Sequence, residues 1–540
     1  MNLRSIINCF FKRYLLINIL FFSCTQLLLA NVKVHALFSD HMVIQRDATV
    51  PIWGWADVNE IVTIETSWGA NAQVITDKKG NWKAFLKTPK AGGPHNITVY
   101  SKNRIVIKDI LSGDVWLCTG QSNMDFAMSK FLNDAKDPKH QPLVTYIRNE
   151  VKTANDNWIR HIEVPQTTSL FEKKKNFKGN WVSVNPEDIG KITATGYFFA
   201  KEIRKQVDVP IGLLECSWGG TRIQPWLSEE AYLEDENMKA YFEASRVKSK
   251  AAIKKMEAKD YVDLEYQKKI KIWKQNGEKG RKPKPLKNPK DDMQLEATLH
   301  NGMLSSIIPF AIKGSIWYQG ESNAGYLPEE YENYLTTMIR SWRAEWAQGD
   351  FPFYWVQLAA CNRSSKKNDL GWSTVNDQLR RTLKVKNTGM AVLYDVGEPK
   401  DIHPHNKMDA GKRLALWALE KDYNIRIPAV SGPLYQSKKI VKNKIQIKFK
   451  EVGSGLMTGS KELLNDAVAV NQPLKRFEVL NEKGIWITAN AKIISKNKIE
   501  VWSENVLKPK EVRYAWAANP EGANLYNIEG LPAAIFSTEK

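Results

Sequence analysis

Asp114-Val-Trp-Leu-Cys-Thr-Gly-Gln-Ser-Asn-Met124 is an apolar strand that breaks at Gly120 and presents a serine, Ser122, just beyond the break. A short apolar run of this kind suits a buried strand of a parallel sheet. Three more junctions of the same type follow. They are Leu213-Leu-Glu-Cys-Ser-Trp-Gly-Gly-Thr221, Gly314-Ser-Ile-Trp-Tyr-Gln-Gly-Glu-Ser-Asn323 and Asp395-Val-Gly-Glu-Pro-Lys-Asp-Ile-His-Pro-His405. Helical spacing lies between them, at Tyr197 to Val207, at Tyr331, Leu335, Met338, Ile339, Trp342 and Trp346, and again over 372–383 and 408–419. Alternating helix and buried strand predicts an α/β unit with a mostly parallel sheet over residues 111–430.

Both flanks change rhythm. Residues 31–110 carry short alternating strands, such as Ile61 to Thr66 and Trp82 to Leu86, separated by Gly and Asn turns. Residues 431–540 repeat that pattern at Ile445, Ile447 and Phe449 and at Ile499 and Val501. Each flank reads as β-rich and sandwich-like. Two separate modules and one sandwich shared by both ends are equally compatible with this pattern.

The 540 residues carry 78 basic and 59 acidic side chains, a formal charge of +19. Between Arg246 and Lys290 there are 16 basic and 5 acidic residues, a net of +11, so one segment holds over half the excess. That Lys-rich stretch, about 230–292, reads as a surface insertion, helical first and Pro-rich later, with solvation as its default role. No nucleic-acid motif accompanies the charge, so nucleic acid is not expected as a partner.

The first thirty residues resemble an address. Arg4, Lys12 and Arg13 precede the apolar run Tyr14 to Phe22, and Leu28-Leu29-Ala30 closes the segment. These are the parts of a secretory signal, with a core too short to span a bilayer. Export to the periplasm or the exterior is expected, with no stable membrane span. A lipid-modified Cys24 is the second reading. Cys118, Cys216 and Cys361 match no metal or disulfide pattern and read as buried thiols.

In open α/β sheets ligands bind beyond the carboxyl ends of the strands. Taken singly, each junction has an ordinary reading: a turn serine, a tight Gly219-Gly220 turn, a solvated Glu321, a loop histidine beside Pro404. Together they bring a serine, glycine backbone, an amide, a carboxylate, and then Asp and His to one sheet edge. That is the set acyl transfer needs.

Gly-Gln-Ser-Asn-Met at 120–124, Ser-Trp-Gly-Gly-Thr at 217–221, Trp-Tyr-Gln-Gly-Glu-Ser-Asn at 317–323 and Asp-Ile-His-Pro at 401–404 resemble the sialate O-acetylesterase family. That family belongs to the SGNH-type hydrolases and is related to certain acetylxylan esterases. Leu37 to Val43 with Gln45-Arg46 is similar to the family's opening, and Val512 to Trp516 with Asn524 to Asn527 to its end. The resemblance implies a three-layer α/β/α catalytic domain and a serine esterase that removes O-acetyl groups from sugars, O-acetylated sialic acid first. An acetylxylan or other polysaccharide esterase is the alternative, and a non-catalytic glycan-binding protein, suggested by 19 tryptophans, is the alternative of another class. It implies Ser122 as nucleophile and His403 as base, with His405 a weaker rival. The oxyanion donors would be the N–H groups of Ser122 and Gly220, with the Gln319 side chain as a third. Asp401 would be the triad acid, with Glu321 as its rival, because Asp401 lies two residues before His403 where three is usual. Arg222 would pair with a sialic acid carboxylate. No metal or organic cofactor is called for.

Overall fold

The computed structural model describes residues 31–362 and 366–539. The expected signal segment, 1–30, with Cys9 and Cys24, lies outside the described residues.

One strand, β1 (Arg104–Gly120), runs seventeen residues, and from Ile110 onward every residue is buried. Its first half pairs antiparallel with Gly92–Tyr100 of the N-terminal module. Its second half is the centre of a sheet formed with β2 (Asp156–Glu163), β3 (Val182–Val184), β4 (Ile211–Ser217), β5 (Gly314–Tyr318), β6 (Phe353–Gln357) and β7 (Thr388–Val392). Their order is β3-β2-β4-β1-β5-β6-β7. All neighbours are parallel except β3, which runs antiparallel to β2 at the edge. From β1 the chain first builds the β4 side, inserting β4 last between β2 and β1, and later extends outward through β5, β6 and β7. The carboxyl end of β1 is therefore the topological switch point, where such sheets bind ligands.

Helices α1 (Ala194–Arg204), α2 (Tyr331–Trp346), α3 (Lys366–Arg381) and α4 (Lys407–Asp422) cover the sheet. Alternation along the strands sorts them into two layers. Trp116 meets Phe199 of α1, and Tyr354 meets Trp417 of α4, on one face. Trp317 and Phe353 meet Trp342 of α2 on the other, where the Trp355 indole donates to the Leu379 carbonyl of α3. The layers are α/β/α, the α/β pattern of the sequence in the three-layer form that the family resemblance implies. Cys118, Cys216 and Cys361 are buried within this core.

The N-terminal module sets the strands Lys33–Val34, Thr49–Trp55 and Asn81–Lys87 against those running from Ile61–Thr66 to the first half of β1. At the other end, seven antiparallel strands between Leu434 and Ser537 form a sheet beside a three-stranded one. No described strand of one module pairs with the other, so these are two modules and not one shared sandwich. The second module returns to the catalytic layers. The Gln357 side chain of β6 pairs with both the N–H and the carbonyl of Ile535, each at 2.9 Å, and Asp377 of α3 accepts from the Ser537 N–H.

Within the Lys-rich insertion, the helix Glu236–Met256 buries Met238, Phe242, Arg246, Ser249 and Ile253. The following helix, Leu264–Gln275, buries nothing, as expected of a solvated excursion. Among the described residues no helix is long and apolar enough to cross a membrane.

Gly120 ends β1 with φ +133°, and a Cβ there would lie 2.2 Å from the Tyr318 carbonyl oxygen of β5. Gly69 also has positive φ, but nothing lies within 4 Å of its Cβ position. Gly69→Ala is therefore expected to carry only the backbone strain, roughly 1–3 kcal/mol. Gly120→Ala adds a clash between two strands and should lower the urea midpoint of the catalytic domain by clearly more. Equal midpoints for the two variants, read by tryptophan fluorescence, would contradict this.

Candidate active site

Register brings the junctions together. Gly120 of β1 stands opposite Ser217 of β4 on one side and Tyr318 of β5 on the other. The loops are stitched just beyond: the Trp218 N–H donates to the Gly120 carbonyl, and the Gln121 N–H to the Tyr318 carbonyl. Ser122 then opens a one-turn helix, Ser122–Asp125, nearly buried at 6% exposure.

His403 arrives from the loop between β7 and α4. Its Nε2 lies 2.8 Å from Ser122 Oγ, and its ring packs on Phe126 at 4.5 Å. With Ser122 donating to Nε2, the ring proton sits on Nδ1. Nδ1 faces Asp401 Oδ1 at 3.8 Å, longer than a hydrogen bond. The same oxygen accepts the His403 backbone N–H at 3.0 Å, and Oδ2 pairs with Lys136 at 2.9 Å. Asp401 thus holds the histidine's main chain and lies beside its ring.

The rivals stand elsewhere. Glu321 is buried and accepts from the Asn123 amide at 2.6 Å, while that amide also donates to the Ile402 carbonyl. Glu321 therefore bears on the histidine loop through Asn123. His405 turns to Glu398, whose Oε1 takes both its N–H at 2.7 Å and its Nδ1 at 2.8 Å. It is His403 that meets the serine.

Gly219 lies against the serine, its Cβ position 3.3 Å from Ser122 Cβ. Gly220 follows with φ +77°. Among the described residues neither the Ser122 nor the Gly220 N–H has an acceptor. Gln319 is a different matter and corrects the sequence expectation. It is fully buried, its Nε2 lies within reach of Gln121, Thr221 and Asn323, and its Oε1 accepts from Tyr331. An amide with two hydrogens and three internal acceptors has none left for a bound oxyanion. Gln319 ties the loops together from beneath. Arg222 lies flat on Tyr326, 3.6 Å from the ring centroid, and among the described residues its guanidinium has no ion pair or hydrogen bond.

Two residues escaped the sequence reading. Asp125 accepts from the Gly219 N–H at 3.1 Å and from Gln166 at 2.9 Å, so it clamps the glycine loop to the serine's helix. Burial raises its carboxyl above the ordinary range despite those donors. Its position directly after the 120–124 motif was a signal. Lys407 is the other: fully buried, its Nζ donates to the Pro404 carbonyl and sits 4.7 Å over the Phe131 ring. Burial pulls it down to about 7, opposed by the charges of Glu398, Glu321 and Asp401. A lysine opening a helix gave no sequence cue to burial.

These surroundings set the charge of His403. Burial, then the Lys407 charge, lower it to about 4, with Asp401 acting in the opposite sense. The imidazole is neutral at neutral pH and free to accept a proton. Burial would raise Asp401, but Lys136 and the His403 N–H hold it below its ordinary value, so it is ionised. Among the described residues no group of His, Cys, Asp and Glu could hold a metal ion.

The profile of the carbohydrate esterase family described as sialic acid-specific acetylesterase matches residues 112–259 and 291–420. The chain belongs to that family. The unmatched gap falls in the Lys-rich insertion. Curated relatives include the sialate O-acetylesterases of Rattus norvegicus, 26% identical over 73% of this chain and 74% of that protein, and of Homo sapiens, 24% identical over 75% and 74%. A crystal structure of a carbohydrate acetylesterase from Xanthomonas citri is 30% identical, with a TM-score of 0.75, covering 94% of this chain and 100% of that one. The chain is a carboxylic ester hydrolase of the carbohydrate esterases, with the SGNH-type fold that the motifs implied.

Removing the Asp125 clamp should loosen the Gly219-Gly220 loop without unfolding the core. A hydrogen bond to a charged acceptor contributes about 1.5–3 kcal/mol, so Asp125→Ala is expected to lower kcat/KM on an acetyl ester by roughly ten- to a hundredfold. The thermal midpoint should fall by roughly ten degrees at most, with unfolding still cooperative. Unchanged kcat/KM would show that the loop holds its position without the aspartate.

Proposed function

We propose that the protein hydrolyses O-acetyl groups from sugars, O-acetylated sialic acid foremost, through an acetyl-enzyme on Ser122, and that it acts after export. The observation that carries this reading is the 2.8 Å contact of Ser122 with a neutral His403 at the switch point of the sheet. In the first half-reaction Ser122 Oγ attacks the acetyl carbonyl carbon while its proton passes to His403 Nε2. The negative oxygen of the tetrahedral adduct is met by the Ser122 and Gly220 N–H groups, each such donor stabilising it by roughly 3–4 kcal/mol. The adduct collapses, the C–O bond to the sugar breaks, and His403 returns the proton to the departing hydroxyl. Water repeats the cycle on the acetyl-enzyme and acetate leaves. Asp401, ionised beside Nδ1, steadies the imidazolium in both halves. Its 3.8 Å separation suits a triad that tightens as charge develops, since such contacts are often long before substrate binds.

Arg222 supports sialic acid over a neutral sugar. Its guanidinium is preset by stacking on Tyr326 and has five donors to offer a carboxylate. The basic, apolar and small-residue order of 1–30 supports export.

Ser122→Ala is expected to abolish acetate release from O-acetylated sialic acid, acetylxylan and an acetylated aryl ester alike. Release by the variant at the parental rate would remove the serine from the mechanism. Arg222→Ala should weaken the sialic acid substrate more than acetylxylan, and equal weakening would end the carboxylate role. Asp401→Asn should cost several orders of magnitude in turnover and Glu321→Gln far less, with folding checked in both. The reverse result would make Glu321 the acid.

The pH profile offers a further test. His403 works as a base only when neutral, so activity should persist on acidification until the pH falls through about 4, well below the ordinary histidine value. The Lys407 charge pushes His403 down, so Lys407→Met should move that acid limb upward. A limb that stays put, in a variant that still folds, would separate the lysine from the base.

A further inference from the structure

A recess of about 470 Å³ borders the site without containing the serine or the histidine. Its walls are the insertion helix Glu236–Met256, the returning segment around 286–296 and the Tyr326 loop. It opens beside the oxyanion loop, for Gln294 joins the two. The Gln294 amide donates to the Gly220 carbonyl at 2.8 Å, and its oxygen accepts the Arg222 N–H at 3.0 Å.

The helix face that lines it is built hollow. Tyr241, Ala244, Lys248 and Ala252 recur at steps of three and four residues, so small side chains alternate with two long ones. Tyr241 is 43% exposed, and its hydroxyl meets the Tyr326 hydroxyl at 2.7 Å. Two phenol rings with their oxygens paired make an amphipathic wall, apolar on its face and polar at its tip, which suits the mixed surface of a pyranose.

Charge at the rim is uneven. Lys287 is paired with Asp292 at 3.1 Å, and Glu296 is buried, accepting from Ser245. Arg222 and Lys248 have no ion pair among the described residues. Glu296 also lacks an ion pair but is buried, so the unpaired charges that reach the surface of the recess are the two cations, and they suit a ligand that carries an anion where the recess meets the catalytic cleft.

We propose that this recess is a subsite for the glycosyl unit linked to the acetylated, carboxylate-bearing sugar, so that the enzyme reads a glycan chain rather than one sugar. The proposal rests on the sugar-deacetylase reading above. In it the acetyl group lies at Ser122, the carboxylate at Arg222, and the next sugar against Tyr241 and Tyr326. The insertion then has a recognition role in its first helix and in Gln294, while its solvated second helix has none.

The test compares O-acetylated sialyllactose with free O-acetylated sialic acid on the full chain. Tyr241→Ala is expected to lower the preference for the trisaccharide, the ratio of the two kcat/KM values, by roughly five- to tenfold, mostly through KM. Tyr241→Phe, which keeps the ring, should restore most of it. An unaltered ratio in a folded Tyr241→Ala protein would overturn the subsite. Binding is read separately, by saturation-transfer NMR of unacetylated sialyllactose on the Ser122→Ala protein. Transfer to the lactose protons, lost on adding Tyr241→Ala, is the expected result, and transfer confined to the sialic acid ring overturns it. If no acetylated sugar is hydrolysed, the deacetylase reading fails, and the NMR result still decides the recess.

Discussion

Two carbonyls and one missing side chain hold the site in register. Where β1 ends, Gly120 passes so near the Tyr318 carbonyl of β5 that no Cβ fits, and its own carbonyl accepts from Trp218 beyond β4. Three strands are thereby made to finish at one level. Each then releases a loop with a different contribution: the serine with its helix, the glycine turn with its N–H groups, and the Gln319 to Asn323 loop as internal support. A parallel sheet supplies a common edge, but only a tight stitch at that edge brings the loops to within hydrogen-bond distance of one another. Gln319, Asn323 and Tyr331 complete the stitch from below.

Electrostatics at the edge is arranged by burial. An ammonium with no water around it is costly unless it is well partnered. Lys407 meets that demand with the Pro404 carbonyl, the faces of Phe131 and Tyr318, and three nearby carboxylates on two loops. The charge it retains falls on His403, the imidazole that meets Ser122. Glu398, occupied with His405, keeps that second histidine out of the cleft while contributing to the field on Lys407.

Much of this was legible in the sequence, for a physical reason. Buried parallel strands must be apolar without interruption, and their ends must break sharply, so Val115 to Thr119 and Gly120 announced both a strand and the edge at which it stops. That Ser122, His403 and the glycine turn share one sheet edge followed from the junctions. Gln319 did not, because whether an amide points into a cleft or under it depends on what surrounds it, here Tyr331 and Asn323 from later in the chain. Lys407 was illegible for the same reason. Periodicity assigns a lysine to the solvated face, and only tertiary packing of Phe131 across it reverses that. The relation of the two β modules also lay beyond the sequence, since strand alternation carries no information on partners.

The hydrogen bonds from Gln357 and Asp377 to residues 535–537 have a bearing on how the molecule is made. The last strand of the catalytic sheet and its covering helix α4 are complete by Asp422, yet Gln357, buried in β6, has only the Asn376 carbonyl of α3 among those layers and finds its other two partners on Ile535. During vectorial synthesis the catalytic layers emerge first, and the amide oxygen and one amide hydrogen of Gln357 wait for partners more than a hundred residues further on. The catalytic layers therefore complete their hydrogen bonding only against the C-terminal module.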